Sequence, residues 1–195
     1  MLLAMFGALL AGGCAGVGFV ATSNPYAKLA QAGEMMNQDR CMLAELTIGD
    51  AMRMFEKEAD QRGIADAHLH YGLLYKNICY HEGRSSAQFR AAGTYDPTYG
   101  KSLDHLKQAL KIYDSLGDGM GAVNSLNAIA EVRNMRGERD EACASWNAAL
   151  SRYRSGKASG NIANDSVSTP GFSNMGEVVE AYLHRDCPAA AQTPG

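Results

Sequence analysis

Two stretches of this chain, 58 residues apart, carry the same pattern of residue types, and this internal repeat restricts the fold more than any other feature. The stretch 51–72 aligns with the stretch 109–130, and apolar residues recur in both at spacings of three and four. That spacing indicates amphipathic α-helices. We therefore predict an all-α fold, a short solenoid of helical hairpins in which each unit buries its apolar face against its neighbours. The matched pairs are Ala51/Ala109, Met52/Leu110, Met54/Ile112, Phe55/Tyr113, Gly63/Gly121 and Gly72/Ala130.

The stretch 123–153 carries large and small apolar residues in a fixed order around a glycine at the predicted turn. These residues are Leu126, Ile129, Ala130, Gly137, Ala142, Trp146, Ala149 and Leu150. The pattern resembles a tetratricopeptide (TPR) repeat, a helix–turn–helix unit of roughly 34 residues. Small residues at the helix contact allow close approach, and the large ones fill the space beside them.

An earlier, less regular copy begins at Ala65, with Tyr71, Gly72 and Tyr75 at the matching positions and a turn at Gly83. Its second helix, within 103–117, begins late, because residues 84–102 are inserted where a TPR needs only a short turn. Insertions of this length are usually functional or disordered. Three aromatic residues favour an ordered contact loop here over a flexible one: Phe89, Tyr95 and Tyr99.

The remaining segments flank this array. Residues 47–62 are predicted as the second helix of a still earlier unit, whose first helix near 25–37 has lost the repeat pattern. A polar Gly/Ser/Asn stretch predicts a linker loop, after which Ser173 is expected to cap a short helix that covers the open end of the array. The predicted divisions are a signal or anchor over 1–23, the repeat domain over 24–156, a linker over 157–172, a capping helix over 173–187 and a disordered tail over 188–195.

The N-terminus resembles a bacterial export signal. Residues 1–27 contain no charged side chain, and Leu10 to Cys14 (LAGGC) resembles a lipobox, in which the cysteine is lipidated and becomes the new N-terminus. Two alternatives stay open: signal cleavage after Ser23, or an uncleaved anchor over 1–21. Ala15 is not the aspartate that resembles an inner-membrane retention signal, so we expect a periplasmic protein anchored at the outer membrane.

Export agrees with the cysteine content, because four cysteines remain once Cys14 is set aside. Antiparallel helix packing would bring Cys41 close to Cys79, which leaves Cys143 to pair with Cys187. Two other connectivities, and four reduced buried thiols, stay open as alternatives.

The sequence shows no pattern for chemistry or for nucleic-acid binding. The net charge is −3 and no run of basic residues occurs, so phosphate attraction is lacking. The five histidines are scattered, with no HExxH motif, and no cysteine follows a zinc or redox spacing. We expect a non-enzymatic protein without a metal or cofactor.

The TPR resemblance implies that a groove lined by the first helix of each repeat binds protein segments. We therefore expect a lipid-anchored scaffold or assembly factor that binds a peptide or loop of a cell-envelope complex. Alternatives are a structural accessory subunit that packs through the insertion, or a small periplasmic enzyme. The groove positions implied by the resemblance are Asp66, Leu69, Leu73, Lys76 and Asn77 on the first clear repeat, and Asn124, Asn127, Glu131, Asn134 and Met135 on the second.

Overall fold

A computed structural model describes residues 22–167 and 169–187. Cys14, most of the predicted signal segment and the predicted tail lie outside the described residues. Within them the fold is all-α, as predicted, and contains no strand. The helices are α1 (Pro25–Asn37), α2 (Cys41–Glu58), α3 (Gln61–Lys76), α4 (Ile78–His81), α5 (Gly83–Ala91), α6 (Gly100–Leu116), α7 (Gly119–Met135), α8 (Arg139–Ser159) and α9 (Met175–Asp186).

Short polar side chains set where five of these helices begin. Helices α1, α3, α4, α7 and α9 are preceded by Asn24, Asp60, Asn77, Asp118 and Asn174 respectively, and each of these side chains accepts a hydrogen bond from a backbone N–H in the first turn. Such caps satisfy N–H groups that have no partner within the helix. The prediction that Ser173 caps the last helix is therefore wrong by one residue. Asn174 is the cap, and the Ser173 N–H instead donates to the carboxylate of Glu177 at 2.7 Å.

The longer helices pack in antiparallel pairs. Helix α1 packs on α2, α3 packs on α6, and α7 packs on α8. Helix α3 also contacts α1, α2 and α7, so the three pairs are continuous with one another. Helix α9 packs on α8, as predicted for a helix that covers the last pair.

One contact between a glycine and an aromatic ring recurs where each pair meets the next. A methyl group added at Gly63 would overlap the ring of Phe55, and one added at Gly121 would overlap the ring of Tyr113. These four residues are the ones that the sequence repeat aligns. In α9, Gly176 has the same relation to the ring of Tyr153 in α8. The absence of a side chain at these glycines is what allows the helices to approach so closely.

The segment between α3 and α6, which includes most of the predicted insertion 84–102, is folded. It contains α4, α5 and a turn over 92–99, and α6 begins at Gly100, within the predicted insertion. Phe89 is fully buried and packs against Tyr80, with ring centroids 4.6 Å apart. The Tyr80 hydroxyl donates to the Thr94 carbonyl at 3.1 Å and accepts from the Asp96 N–H at 2.7 Å. These bonds fasten the turn to α4.

Both predicted cysteine pairs are confirmed as disulfide bonds. Cys41 at the start of α2 is joined to Cys79 in α4, with the Cα atoms 5.9 Å apart. Cys143 near the start of α8 is joined to Cys187 just after α9, with the Cα atoms 5.8 Å apart. The first bond ties α4 to α2, and the second ties the end of α9 to α8.

The predicted linker begins later than expected, because α8 continues to Ser159. Ile162 then folds back, is almost fully buried, and donates its N–H to the Gly156 carbonyl at 3.1 Å. Within the two described ranges, no helix is both long enough and apolar enough to cross a bilayer.

Candidate functional site

The C-terminal ends of α1, α3 and α7 meet at one edge of the fold and form an open cleft. Its volume is about 490 Å³. Four of the ten predicted groove residues line it: Leu73, Lys76, Asn77 and Met135. The other lining residues are Gly33, Glu34, Met36, Asn37 and Ile78. The cleft is therefore built from three helices that the sequence places far apart.

Two apolar side chains stand out of this cleft into solvent. Ile78 is 69% exposed and Met135 is 52% exposed. Leu73 is partly buried between them and the core, and Met36 is 9% exposed on the α1 side. Exposed aliphatic groups beside a concave surface mark a place where a partner can remove apolar surface from water.

Asn77 explains why Ile78 is exposed. Its backbone is extended, which ends α3, and its side-chain oxygen accepts the Cys79 N–H at 3.0 Å, which starts α4. The chain therefore changes direction at the cleft, and Cys79 and Tyr80 point into the core while Ile78 points out. The Asn77 side chain acts as a cap, so its acceptor is already occupied.

A partly buried ion pair lies beside the cleft. The Lys76 ammonium in α3 donates to the Glu131 carboxylate in α7, and each side chain is only 17% exposed. The other Glu131 oxygen accepts from Asn127 Nδ2 at 2.7 Å, and Asn127 Oδ1 accepts from Trp146 Nε1 at 3.1 Å. One chain of hydrogen bonds thus joins α3, α7 and α8.

This network corrects part of the predicted groove. Asn127 is 8% exposed and both ends of its amide are bonded internally, so it does not face a partner. Leu69 packs in the apolar core beside α6. Asn134 Nδ2 donates to the Asp186 carboxylate at 3.4 Å and so links α7 to α9.

Asp66 is likewise committed to the fold. Its carboxylate accepts a hydrogen bond from the Tyr113 hydroxyl. Burial raises the pKa of Asp66 above its ordinary value, and burial together with Asp66 raises the pKa of Tyr113. Asn124 differs from both, because its side-chain oxygen is buried and has no hydrogen-bond partner among the described residues.

The aromatic residues of the insertion do not form one contact surface. Phe89 lies in the core, so the prediction that it contacts a partner is wrong. Tyr95 is covered by the Arg90 guanidinium, 3.7 Å above its ring, and the Tyr99 ring lies 4.2 Å from His81. These contacts hold the insertion together.

Five residues that line the cleft are not among the ten predicted groove positions, and four of these lie in α1. The fifth, Ile78, lies two residues after α3 and continues its apolar pattern, so periodicity alone assigns it to the buried face. The asparagine before it, a preferred cap residue, is the signal that could have revealed a new helix start. Met36 lies in α1, whose sequence lacks the repeat pattern, and its adjacent methionine pair is the only signal there of a partner contact.

The cleft is suited to binding. Its apolar groups can bury an apolar side chain, and its only charges are Glu34 at the rim and Lys76, which Glu131 neutralises. Within the described residues, no three or more His, Cys, Asp or Glu side chains converge as a metal site. Comparison of the chain with protein-family models, with curated proteins and with solved structures found no match.

Proposed function

We propose that this protein is a TPR-like scaffold that binds a short protein segment in the cleft formed by α1, α3 and α7. The observation that carries the proposal is the pair of exposed apolar side chains, Ile78 and Met135, that line the same concave surface. Three stacked helix pairs, with aromatic–glycine contacts at the junctions, support the likeness to TPR repeats.

The proposed occupant is a short peptide or loop with an apolar anchor residue. A cleft of about 490 Å³ holds only a few side chains. Glu131 neutralises Lys76, the only cationic residue that lines the cleft, so apolar burial supplies most of the affinity.

We further propose that the protein is exported and held at the outer membrane through lipidated Cys14. Two disulfide bonds support an oxidising compartment, because such bonds are rare in the cytosol. The lipobox-like residues support the anchor.

The cleft is tested by changing Ile78→Lys and Met135→Lys together in a C-terminally tagged protein purified from native membranes in mild detergent. We expect the co-purifying partner to fall by at least about tenfold, because hot-spot substitutions typically cost ~2 kcal/mol or more. Leu46→Lys is the matched control, since Leu46 is 61% exposed in α2 and does not line the cleft. Equal recovery of the partner by all three proteins would contradict the proposal.

The anchor is tested separately by Cys14→Ser. We expect the substitution to release the protein into the soluble periplasmic fraction and to abolish labelling by a palmitate analogue. Unlabelled wild-type protein in the soluble fraction would contradict lipidation, and it would leave the cleft proposal intact.

A second candidate, an accessory subunit packed through the insertion, is favoured by another open cleft. This one lies between α2 and α5, has a volume of about 640 Å³, and includes Leu43, which is 41% exposed. If Leu43→Lys removes the partner and the double substitution at Ile78 and Met135 does not, this second function is the correct one.

A further inference from the structure

Two histidines from different helices face each other outside the cleft. His68 in α3 and His105 in α6 approach with their Nδ1 atoms 2.9 Å apart. Their ring centroids are 5.1 Å apart and the rings are tilted by 39°, so the two Nδ1 atoms lie at facing edges. Two nitrogen lone pairs at this distance repel each other. One Nδ1 therefore carries a hydrogen and donates it to the other Nδ1. The gap therefore holds an N–H···N hydrogen bond, and a metal ion that replaced this hydrogen would accept both lone pairs.

The surroundings keep both rings neutral and in place. Burial lowers the pKa of His68, and burial together with His68 lowers the pKa of His105 to about 4. Both rings are only half-buried, so solvent reaches them. Tyr71 and Tyr75 pack against His105, with centroids 4.8 Å and 5.6 Å from it. A neutral, positioned imidazole is the form that binds a metal ion.

The charges around the pair are mixed. The carboxylates of Glu56 and Asp104 act on His68 and His105 respectively and favour a positive charge there. Lys101 opposes a positive charge at His105, although its ammonium lies over the Tyr75 ring, 5.3 Å from the centroid. The charged groups that act on the pair are thus two carboxylates and one ammonium, and burial outweighs the carboxylates for a proton.

We propose that His68 and His105 form a binding site for a divalent copper ion, with the Nδ1 atoms as two adjacent ligands and water in the remaining positions. An ion ~2.0–2.1 Å from two nitrogens at this separation subtends an angle of about 90°. That angle is the one between neighbouring ligands in the square-planar and tetragonal sites that Cu²⁺ and Ni²⁺ prefer, and it is narrower than a tetrahedral zinc site requires. Small rotations of the two rings turn their lone pairs from each other toward the ion.

The site crosslinks α3 and α6, the two helices that the insertion separates in sequence. No third His, Cys, Asp or Glu joins the pair in the part of the chain that the structure describes. Copper is therefore the ion of choice, because it forms the strongest complexes with a given nitrogen site among the divalent first-row metals. This proposal is independent of the cleft and of the anchor.

The test uses the full chain carrying Cys14→Ser in every sample, so that no free thiol at that position reduces Cu²⁺. We expect one Cu²⁺ ion per chain in titration calorimetry, and an electron paramagnetic resonance spectrum with coupling to two imidazole nitrogens. His68→Gln and His105→Gln are each expected to weaken binding by more than about tenfold, since even outer-shell substitutions cost 10- to 100-fold. His184→Gln, at an exposed position in α9, is the control and should bind as the parent does.

Three results would overturn the proposal. They are no binding by the parent, unchanged binding in either glutamine variant, or tighter binding of Zn²⁺ than of Cu²⁺. If a variant does not fold, the nitrogen coupling in the parent spectrum decides, because one imidazole or none rules out the pair.

Discussion

The junction of α2 with α3 and the junction of α6 with α7 use the same apolar contact and different polar ones. In both, an aromatic ring lies against a glycine and an aspartate caps the incoming helix. At the second junction the ring is Tyr113, whose hydroxyl donates to Asp66. At the first the ring is Phe55, and the Tyr26 hydroxyl donates to the cap Asp60 at 2.6 Å. The close approach is therefore the fixed requirement, and the polar contacts vary around it.

The two helix pairs that follow these junctions differ more. The pair α7/α8 is joined by a short turn, whereas α3/α6 is interrupted by α4, α5 and a loop. The interrupted pair also holds the His68–His105 contact and a cluster of tyrosines. One type of helix pair is thus closed by a short turn in one place and carries an added structure in the other.

The largest expected effect comes from removing either of the two disulfide bonds. Cys41→Ala with Cys79→Ala opens a loop of 38 residues, and Cys143→Ala with Cys187→Ala opens one of 44. Each pair of substitutions should lower the free energy of unfolding by about 4 kcal/mol, because chain entropy depends only weakly on loop length. Urea denaturation of both variants measures this. If only one of the two variants loses stability, then contacts in the folded protein, rather than the entropy of the unfolded chain, determine how much each disulfide bond stabilises the fold.

The glycine contact is tested by Gly63→Ala and Gly121→Ala. Each added methyl group must displace the ring of Phe55 or Tyr113, and we expect a loss of about 1–3 kcal/mol at both positions. Gly33→Ala in α1 is the matched control. A side chain there meets no atom within 4 Å, so the change should stabilise the protein by about 0.5–1 kcal/mol. Thermal unfolding distinguishes the three, and a neutral effect at one junction alone would show that the junctions are not equivalent.

The smallest effect is a difference in pH dependence between the two helix pairs. The pKa of His105 is about 4 in the folded protein and near its ordinary value of 6.5 when unfolded, so the unfolded chain binds more protons between these values. Stability should therefore fall from about pH 7 to about pH 5, by about 1 kcal/mol at most because the ring is half-exposed. His105→Gln should flatten this slope. Helices α7 and α8 contain no histidine, so substitutions there should leave the slope unchanged.

Much of the fold was predictable from the sequence. Helical periodicity gave the all-α class, and the aligned Phe55/Tyr113 and Gly63/Gly121 pairs proved to be the contacts that set the helix spacing. The Cys41–Cys79 pair was predicted from antiparallel packing and left Cys143 for Cys187, although other connectivities stayed open. The helix predictions rest on local spacing, which a sequence displays directly.

The site was only partly predictable, because exposure depends on how distant helices pack. Asn127 and Met135 lie on the same helix and both were predicted to face the groove. Trp146 of α8 binds the amide of Asn127, while Met135 stays open to solvent. The residues of α1 that complete the cleft could not be assigned to it, because their sequence does not indicate that they pack beside the C-terminal ends of α3 and α7.

The positions of the disulfide bonds have a mechanical consequence. A force applied to the two ends of the described chain cannot lengthen the covalent loops between Cys41 and Cys79 or between Cys143 and Cys187. Extension must come from the residues before Cys41, which contain α1, and from the stretch between Cys79 and Cys143, which contains α5, α6 and α7. A protein tethered at one end and loaded at the other would therefore lengthen at α1 and at its centre, whereas the two disulfide-closed loops would add no length.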